Sequence, residues 1–244
     1  MTASIGVSTG ALLYGLAAAG ANIVGALAVT SRSRWSVRAL DAMLSFAAGF
    51  LISVSLIDLF PESIATAGPS APVIVLGAYV LVHLTQHTIG RHFHFGEETH
   101  NVSELVSVSA LIGLLMHTFV DGVAVASGLL VSRSLGALVF VAVLLHKFPE
   151  GLAISSLFMA AGAGRRRAVL AAALLGASTI AGVLVTNELA LLQQYGLAVS
   201  AGVTLYVGAS NLVPEFQDRP GVRIPLSFVA GSALYFVARS LASV

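Results

Sequence analysis

Polar residues in this chain are gathered into short islands, and the runs between them are too long and too apolar for the core of a soluble domain. Eight of these runs are predicted to be membrane-crossing helices, at roughly 5–29, 39–60, 73–90, 105–131, 135–161, 168–192, 197–217 and 224–242. The connections are short and none has room for a soluble domain, so residues 1–244 read as one transmembrane domain.

The arginines set the expected orientation. Arg32, Arg34 and Arg38 separate the first two spans, Arg91 follows the third, Arg165, Arg166 and Arg167 follow the fifth, and Arg219 and Arg223 precede the eighth. With alternating spans these nine share one face, leaving Arg133 and Arg239 on the other. Positively charged loops stay in the cytoplasm, which puts both termini outside. One span more or fewer would scramble the bias, so it also supports the count of eight.

Composition agrees. The chain is 57% hydrophobic and 9% charged with a mean hydropathy of +0.94, whereas soluble domains carry about 25% charged residues. The expected setting is the lipid bilayer of the cell (inner) membrane, crossed many times. There is no cysteine, which excludes disulfides, thiolate zinc sites and iron–sulfur clusters. A net charge of +1 gives no pointer to nucleic acid, and none is expected as a partner. No basic region precedes the first apolar run, so that run is expected to be a retained helix and not a cleaved signal.

Two internal echoes organise the polar exceptions. GFLISVSLIDLFPES (49–63) and GVTLYVGASNLVPEF (202–216) share Gly49 with Gly202, set Asp58 against Asn211, and close on Leu-x-Pro-Glu. The first runs outward and the second inward, the pattern of an inverted repeat relating spans 1–3 to spans 6–8. The plainer reading is that Pro-Glu marks a helix end in both places. The second echo pairs HTFVDGVA (117–124) in span 4 with HKFPEGLA (146–153) in span 5. In each, a histidine is followed four residues later by a carboxylate and then by glycine, so His117 and Asp121 share one helix face, as do His146 and Glu150. Both units fall near mid-depth on neighbouring antiparallel spans.

Charge at that depth is expensive. Asp121, Lys147 and Glu150 facing lipid would each cost about 2.5–3.5 kcal/mol, so they are expected to face one another, water or an ion. Two imidazoles and two carboxylates form a nitrogen and oxygen donor set suited to a divalent first-row cation. Gly122 and Gly151 allow close helix approach, and Pro149 removes a backbone donor beside the site. A single histidine is ordinarily a packing residue, and one His-x-x-x-Asp unit fits metal and structure equally; two at matched depth point to a functional site.

Other classes fit less well. An intramembrane metalloenzyme would need His-Glu-x-x-His on one helix, which is absent. A retinal protein would use Lys147 but needs an aromatic pocket, and the chain has one Trp. A metal-selective channel with the same ligands stays open as an alternative to a carrier.

With these residues in view, the chain resembles the ZIP family of divalent metal-ion transporters, through His-x-x-x-Asp-Gly in span 4 and HKFPEG (146–151) in span 5. The resemblance implies an all-α integral membrane protein of eight helices in a 3+2+3 inverted-repeat bundle. It also implies a homodimer, an elevator-like movement and metal transport into the cytoplasm. His117, Asp121, His146 and Glu150 match the family's transport site. Some members bind a second metal through the residues after the two histidines; those positions are Thr118 and Lys147 here. An ammonium cannot ligate and carries positive charge to that place, so a mononuclear site is expected, with Lys147 standing in for the second ion. Glu188 matches a family carboxylate near the second metal or is an interfacial residue at a helix end. Zn²⁺ suits the donors, and Fe²⁺, Mn²⁺, Co²⁺ and Cd²⁺ are further candidates. The metal is cargo; no resident cofactor is expected.

Three further polar groups are noted. RHFHFGEETH (91–100) reads as a metal-gathering loop or as a solvated turn. His83, Gln86 and His87 lie on span 3, with His83 deep enough to approach the pathway, though packing is its more ordinary role. Asp58 and Glu62 form an electronegative outer mouth or are ordinary helix-end carboxylates, and Glu215 and Asp218 read the same way at the inner end.

Overall fold

The computed structural model describes residues 2–31, 37–88, 104–216 and 220–242; the loop 91–100 lies outside them, as do Arg32, Arg34, Asp218 and Arg219. The described elements are all helical. They are α1 (Thr2–Ser31), α2 (Val37–Val54), α3 (Phe60–Ala67), α4 (Ala71–Thr88), α5 (Glu104–Val131), α6 (Arg133–Ala160), α7 (Gly164–Glu188), α8 (Ala190–Tyr206), α9 (Val213–Phe216) and α10 (Arg223–Ala242). A π-turn, Ser55–Leu59, joins α2 to α3, and another, Val207–Leu212, joins α8 to α9.

Among the described residues, six stretches are long and apolar enough to cross a membrane: Thr9–Ser31, Asp41–Gln86, Ser107–Val131, Arg133–Ala160, Gly164–Glu188 and Arg223–Leu241. Two features separate this count from the eight runs in the sequence. Asp41–Gln86 holds 46 residues, about 69 Å of helix at 1.5 Å per residue, more than twice the ~30 Å hydrocarbon core. It is broken at Gly68, whose φ of 66° opens a 3₁₀ turn, Gly68–Ser70, a backbone that glycine adopts without a Cβ clash. The other feature is the second π-turn, which leaves α8 as a regular helix of 17 residues.

Side-chain contacts fix the directions. The α2–α3 unit lies antiparallel to α8: Ser55 Oγ donates to the Ala201 carbonyl at 2.8 Å, and Ile52 packs at Gly208. Helix α4 runs parallel to α8, with Val75 at Gly202 and the Tyr79 hydroxyl 2.6 Å from Ser210 Oγ. The chain therefore reverses between α3 and α4. Helix α10 runs parallel to α2, tied by Ser45 Oγ to the Ile224 carbonyl at 2.8 Å and Ser232 Oγ to the Gly49 carbonyl at 3.2 Å. Arg38, Arg165, Arg166, Arg167 and Arg223 consequently lie at one end of the bundle, and Arg133 and Arg239 at the other.

One expected boundary moves. The break between spans 6 and 7, expected at 193–196, falls at Leu189, which is extended (φ −103°, ψ 108°). The apolar Leu189–Leu192 run conceals it, and the polar Gln193 and Gln194 sit within α8.

Each π-turn sits just ahead of a proline. The Phe60 N–H reaches back to the Ser55 carbonyl before Pro61, and the Val213 N–H reaches back to the Gly208 carbonyl before Pro214. A proline has no N–H to continue the ladder, and the widened turn re-routes it. Glycines make the tightest crossings. A Cβ on Gly122 would meet the Thr179 carbonyl oxygen, and one on Gly182 the Phe119 carbonyl oxygen; Gly151 and Gly25 meet the Asn22 and Phe148 carbonyl oxygens in the same reciprocal way. Small residues at such crossings let helix backbones touch in a membrane. Replacing Gly182 with valine is therefore expected to cost on the order of 1–3 kcal/mol by overpacking, read as a lower thermal-unfolding midpoint in detergent. An unchanged midpoint would contradict the contact.

Candidate metal centre

Helices α5 and α6 form an antiparallel hairpin. Ser132 caps α6, its Oγ accepting the Leu135 N–H at 3.1 Å, and Gly128 packs on Gly136 beside the turn. At the far end Ser107 Oγ reaches the Leu157 carbonyl at 3.4 Å. His117 and His146 meet between these ends, their ring centroids 5.5 Å apart. The four-residue spacing then brings Asp121 and Glu150 to the same place.

All four side chains are buried, and one ligand atom from each of His117, Asp121, His146 and Glu150 lies within 4.8 Å of the others. Asp121 Oδ2 is the hub: His117 Nε2 and His146 Nε2 each stand 3.3 Å from it. His146 Nδ1 lies 2.9 Å from the Ala142 carbonyl. A carbonyl only accepts, so Nδ1 donates there, and Nε2 is the nitrogen turned to Asp121 Oδ2, the orientation a metal ligand needs.

Lys147 is fully buried and bridges the two acids. Its Nζ lies 2.6 Å from Asp121 Oδ2 and 2.7 Å from Glu150 Oε2. Two acidic side chains and one lysine give a formal charge of −1 without counting the histidines, attractive to a dication without the grip of a purely acidic cage. Glu150 Oε1 and His117 Nδ1 are buried without a hydrogen-bond partner. Such atoms are costly to leave unpaired, and Glu150 Oε1 remains available to an incoming ion even while Lys147 holds Oε2.

A narrow cavity runs from the cluster toward the arginine-rich end. His117, His146, Glu150, Gln86, Asn211 and Leu44 are among its lining residues. On the other side of the cluster lies an apolar cluster that includes Leu59, Val75, Val139, Val143 and Leu197. Toward the arginine-rich end Gln86 and Asn211 are thus interspersed with the apolar Leu44, Leu114, Val207 and Leu212, whereas the other direction is apolar throughout that cluster.

The remaining candidates divide. Thr118 is buried, but its hydroxyl donates to the Leu115 carbonyl at 3.1 Å and is occupied there. Glu188 is exposed at the C-terminal end of α7 and stands apart from the four. His83 packs edge-on against Tyr206, 5.9 Å between centroids, and Gln86 reaches the cavity; the side chain of His87 lies outside the described part. Asn211 also lines the cavity; the only signal for it in the sequence was its alignment with Asp58. Asp58 itself is engaged: Arg239 Nε lies 3.0 Å from Oδ1 and the Tyr235 hydroxyl donates to Oδ2 at 2.7 Å.

No curated protein matches the chain. Residues 96–238, from before α5 into α10, match the family described as ZIP zinc transporter. That stretch is more than half of the chain and contains the whole cluster. This is a family of transporters and not of enzymes, and its divalent cargo agrees with a buried cluster of two imidazoles and two acids; the chain belongs to the ZIP zinc transporter family.

Proposed function

We propose that this protein carries a zinc-like divalent ion into the cytoplasm through a single site between α5 and α6, ligated by His117, Asp121, His146 and Glu150. The observation that carries this reading is the convergence of four buried donors within 4.8 Å on two antiparallel helices. The cavity toward the arginine-rich end supplies the release route, since that end is cytoplasmic by the positive-inside rule. Saturable zinc uptake into proteoliposomes, measured beside Fe²⁺, Mn²⁺, Co²⁺ and Cd²⁺, tests it. Single-channel conductance in a planar bilayer would instead favour the channel.

The bundle is read as eight crossings in a 3+2+3 arrangement with both ends outside. The reversal at Gly68 and the opposed directions of α2–α3 and α8 support that count. The inverted repeat is supported by the paired π-turns before Pro61 and Pro214. It is supported further by a swap of contacts: Gly49 packs on the Phe228 carbonyl and Gly202 on the Val75 carbonyl. The shift along the chain that carries Gly49 to Gly202 also carries Val75 to Phe228. The homodimer, the elevator-like movement and the inner membrane rest on the family alone.

The site is read as mononuclear, with Lys147 Nζ held where a second cation would bridge Asp121 and Glu150. The native chain is expected to bind one zinc and the Lys147→Asp variant two, counted by equilibrium dialysis in detergent. If the variant also binds one, Lys147 is not what excludes the second ion.

A further inference from the structure

We propose that Asp58 is an outer carboxylate that receives the dication ahead of the central cluster, and that Arg239 occupies it while the outer face is shut. The inference rests on the carrier reading and on the inverted relation of spans 1–3 to spans 6–8.

The same shift that carries Gly49 to Gly202 carries Asp58 to Asn211 and Gln86 to Arg239. These two pairs sit at opposite ends of the bundle. At the arginine-rich end Asn211 and Gln86 line the cavity that reaches His117, His146 and Glu150. At the other end their counterparts are tied together across α10 and the first π-turn. Arg239 Nε holds Asp58 Oδ1 at 3.0 Å and the buried Tyr235 donates to Asp58 Oδ2 at 2.7 Å. Equivalent positions thus line the cavity at one end and are paired with each other at the other. When the bundle opens the other way by the inverted movement, Asp58 and Arg239 line that mouth.

Their chemistry differs in the direction that transport needs. The inner pair is two neutral amides, which hold a dication weakly and let it go. The outer pair contains a carboxylate, which gathers a dication from dilute solution. In the shut form both Asp58 oxygens are already used, one by a guanidinium and one by a phenol. A dication and the Arg239 side chain therefore compete for one carboxylate, and metal arrival is coupled to release of the latch. Asp58 is mostly buried, with 13% of its side chain exposed, while Arg239 is 51% exposed. The arginine is thus free to swing toward water when displaced.

The test is zinc uptake from the outer face of proteoliposomes reconstituted with the full chain. For Asp58→Asn the half-saturating zinc concentration is expected to rise about tenfold, the usual order for a steering charge. For Arg239→Gln, which removes the competitor, it is expected to fall several-fold, and Asp58→Glu is expected to restore uptake toward native values. A purely structural ion pair predicts the opposite pattern: both partners' removal shifts half-saturation the same way and lowers the unfolding midpoint alike, which overturns the proposal. Arg239→Gln alone decides the sign if Asp58→Asn does not fold. Native uptake with same-sign variants removes only the role of Asp58, whereas a native chain that takes up no zinc removes the carrier reading beneath it.

Discussion

Replacing His146 with alanine is expected to abolish saturable zinc uptake, lowering it by at least about 100-fold, because loss of an outer-shell partner alone costs 10–100-fold in metal affinity. His146 is singled out by its anchoring. Its Nδ1–H is committed to the Ala142 carbonyl at 2.9 Å, so its Nε2 is the atom left for the ion. Asp121 is the hub for both rings, and its removal would also take one of the two carboxylates that hold Lys147, mixing a lost ligand with a lost ion pair. His146→Ala removes one neutral donor and keeps the charge of the site. Uptake within a few-fold of native would mean that the ion does not pass between the two histidines.

The second large effect concerns stability. Lys147→Met deletes the only cation within ion-pair distance of Asp121 and Glu150 among the described residues, apart from the two histidines. Removing one partner of a buried ion pair costs about 3–5 kcal/mol, because the remaining charge is left uncompensated in a low-dielectric setting. The metal-free variant is therefore expected to unfold at a clearly lower temperature. Zinc supplies the missing positive charge and binds only the folded site, so saturating zinc is expected to recover much of the loss. A variant as stable as native without metal would show that Lys147 is not the counter-ion of the empty site. A variant whose loss zinc does not relieve would separate Lys147 from the metal position.

The cluster was legible because intramembrane charge has so few ordinary explanations. His117, Asp121, His146 and Glu150 repeat one spacing on adjacent helices, and a helix turns that spacing directly into a shared face. The structure brings those four together, with Lys147 Nζ between the two acids. What stayed hidden depended on contacts between distant segments. Gln86 is marked only as a neighbour of His83 and His87, and Asn211 only as the counterpart of Asp58; both are uncharged, so neither pattern points to a cavity. They become visible once α2, α4, α5, α6 and the second π-turn meet around one cavity. Leu189 was missed because a break between apolar residues leaves no change in hydropathy. The π-turns are anticipated only in part: Pro61 and Pro214 mark a helix end, but a widened turn in place of a kink has no signal of its own in the sequence. Gly68, by contrast, could be found in the sequence, since Gly-Pro-Ser between apolar runs is a turn signal with a known backbone basis.

X-ray absorption at the zinc edge on the loaded protein tests the central claim most directly. The account predicts one zinc per chain with two imidazole nitrogens at about 2.0–2.1 Å and carboxylate oxygens at about 2.0–2.2 Å, and loss of the imidazole signal in the His117→Ala, His146→Ala double variant. A zinc shell without imidazole, or one unchanged in that variant, would contradict it.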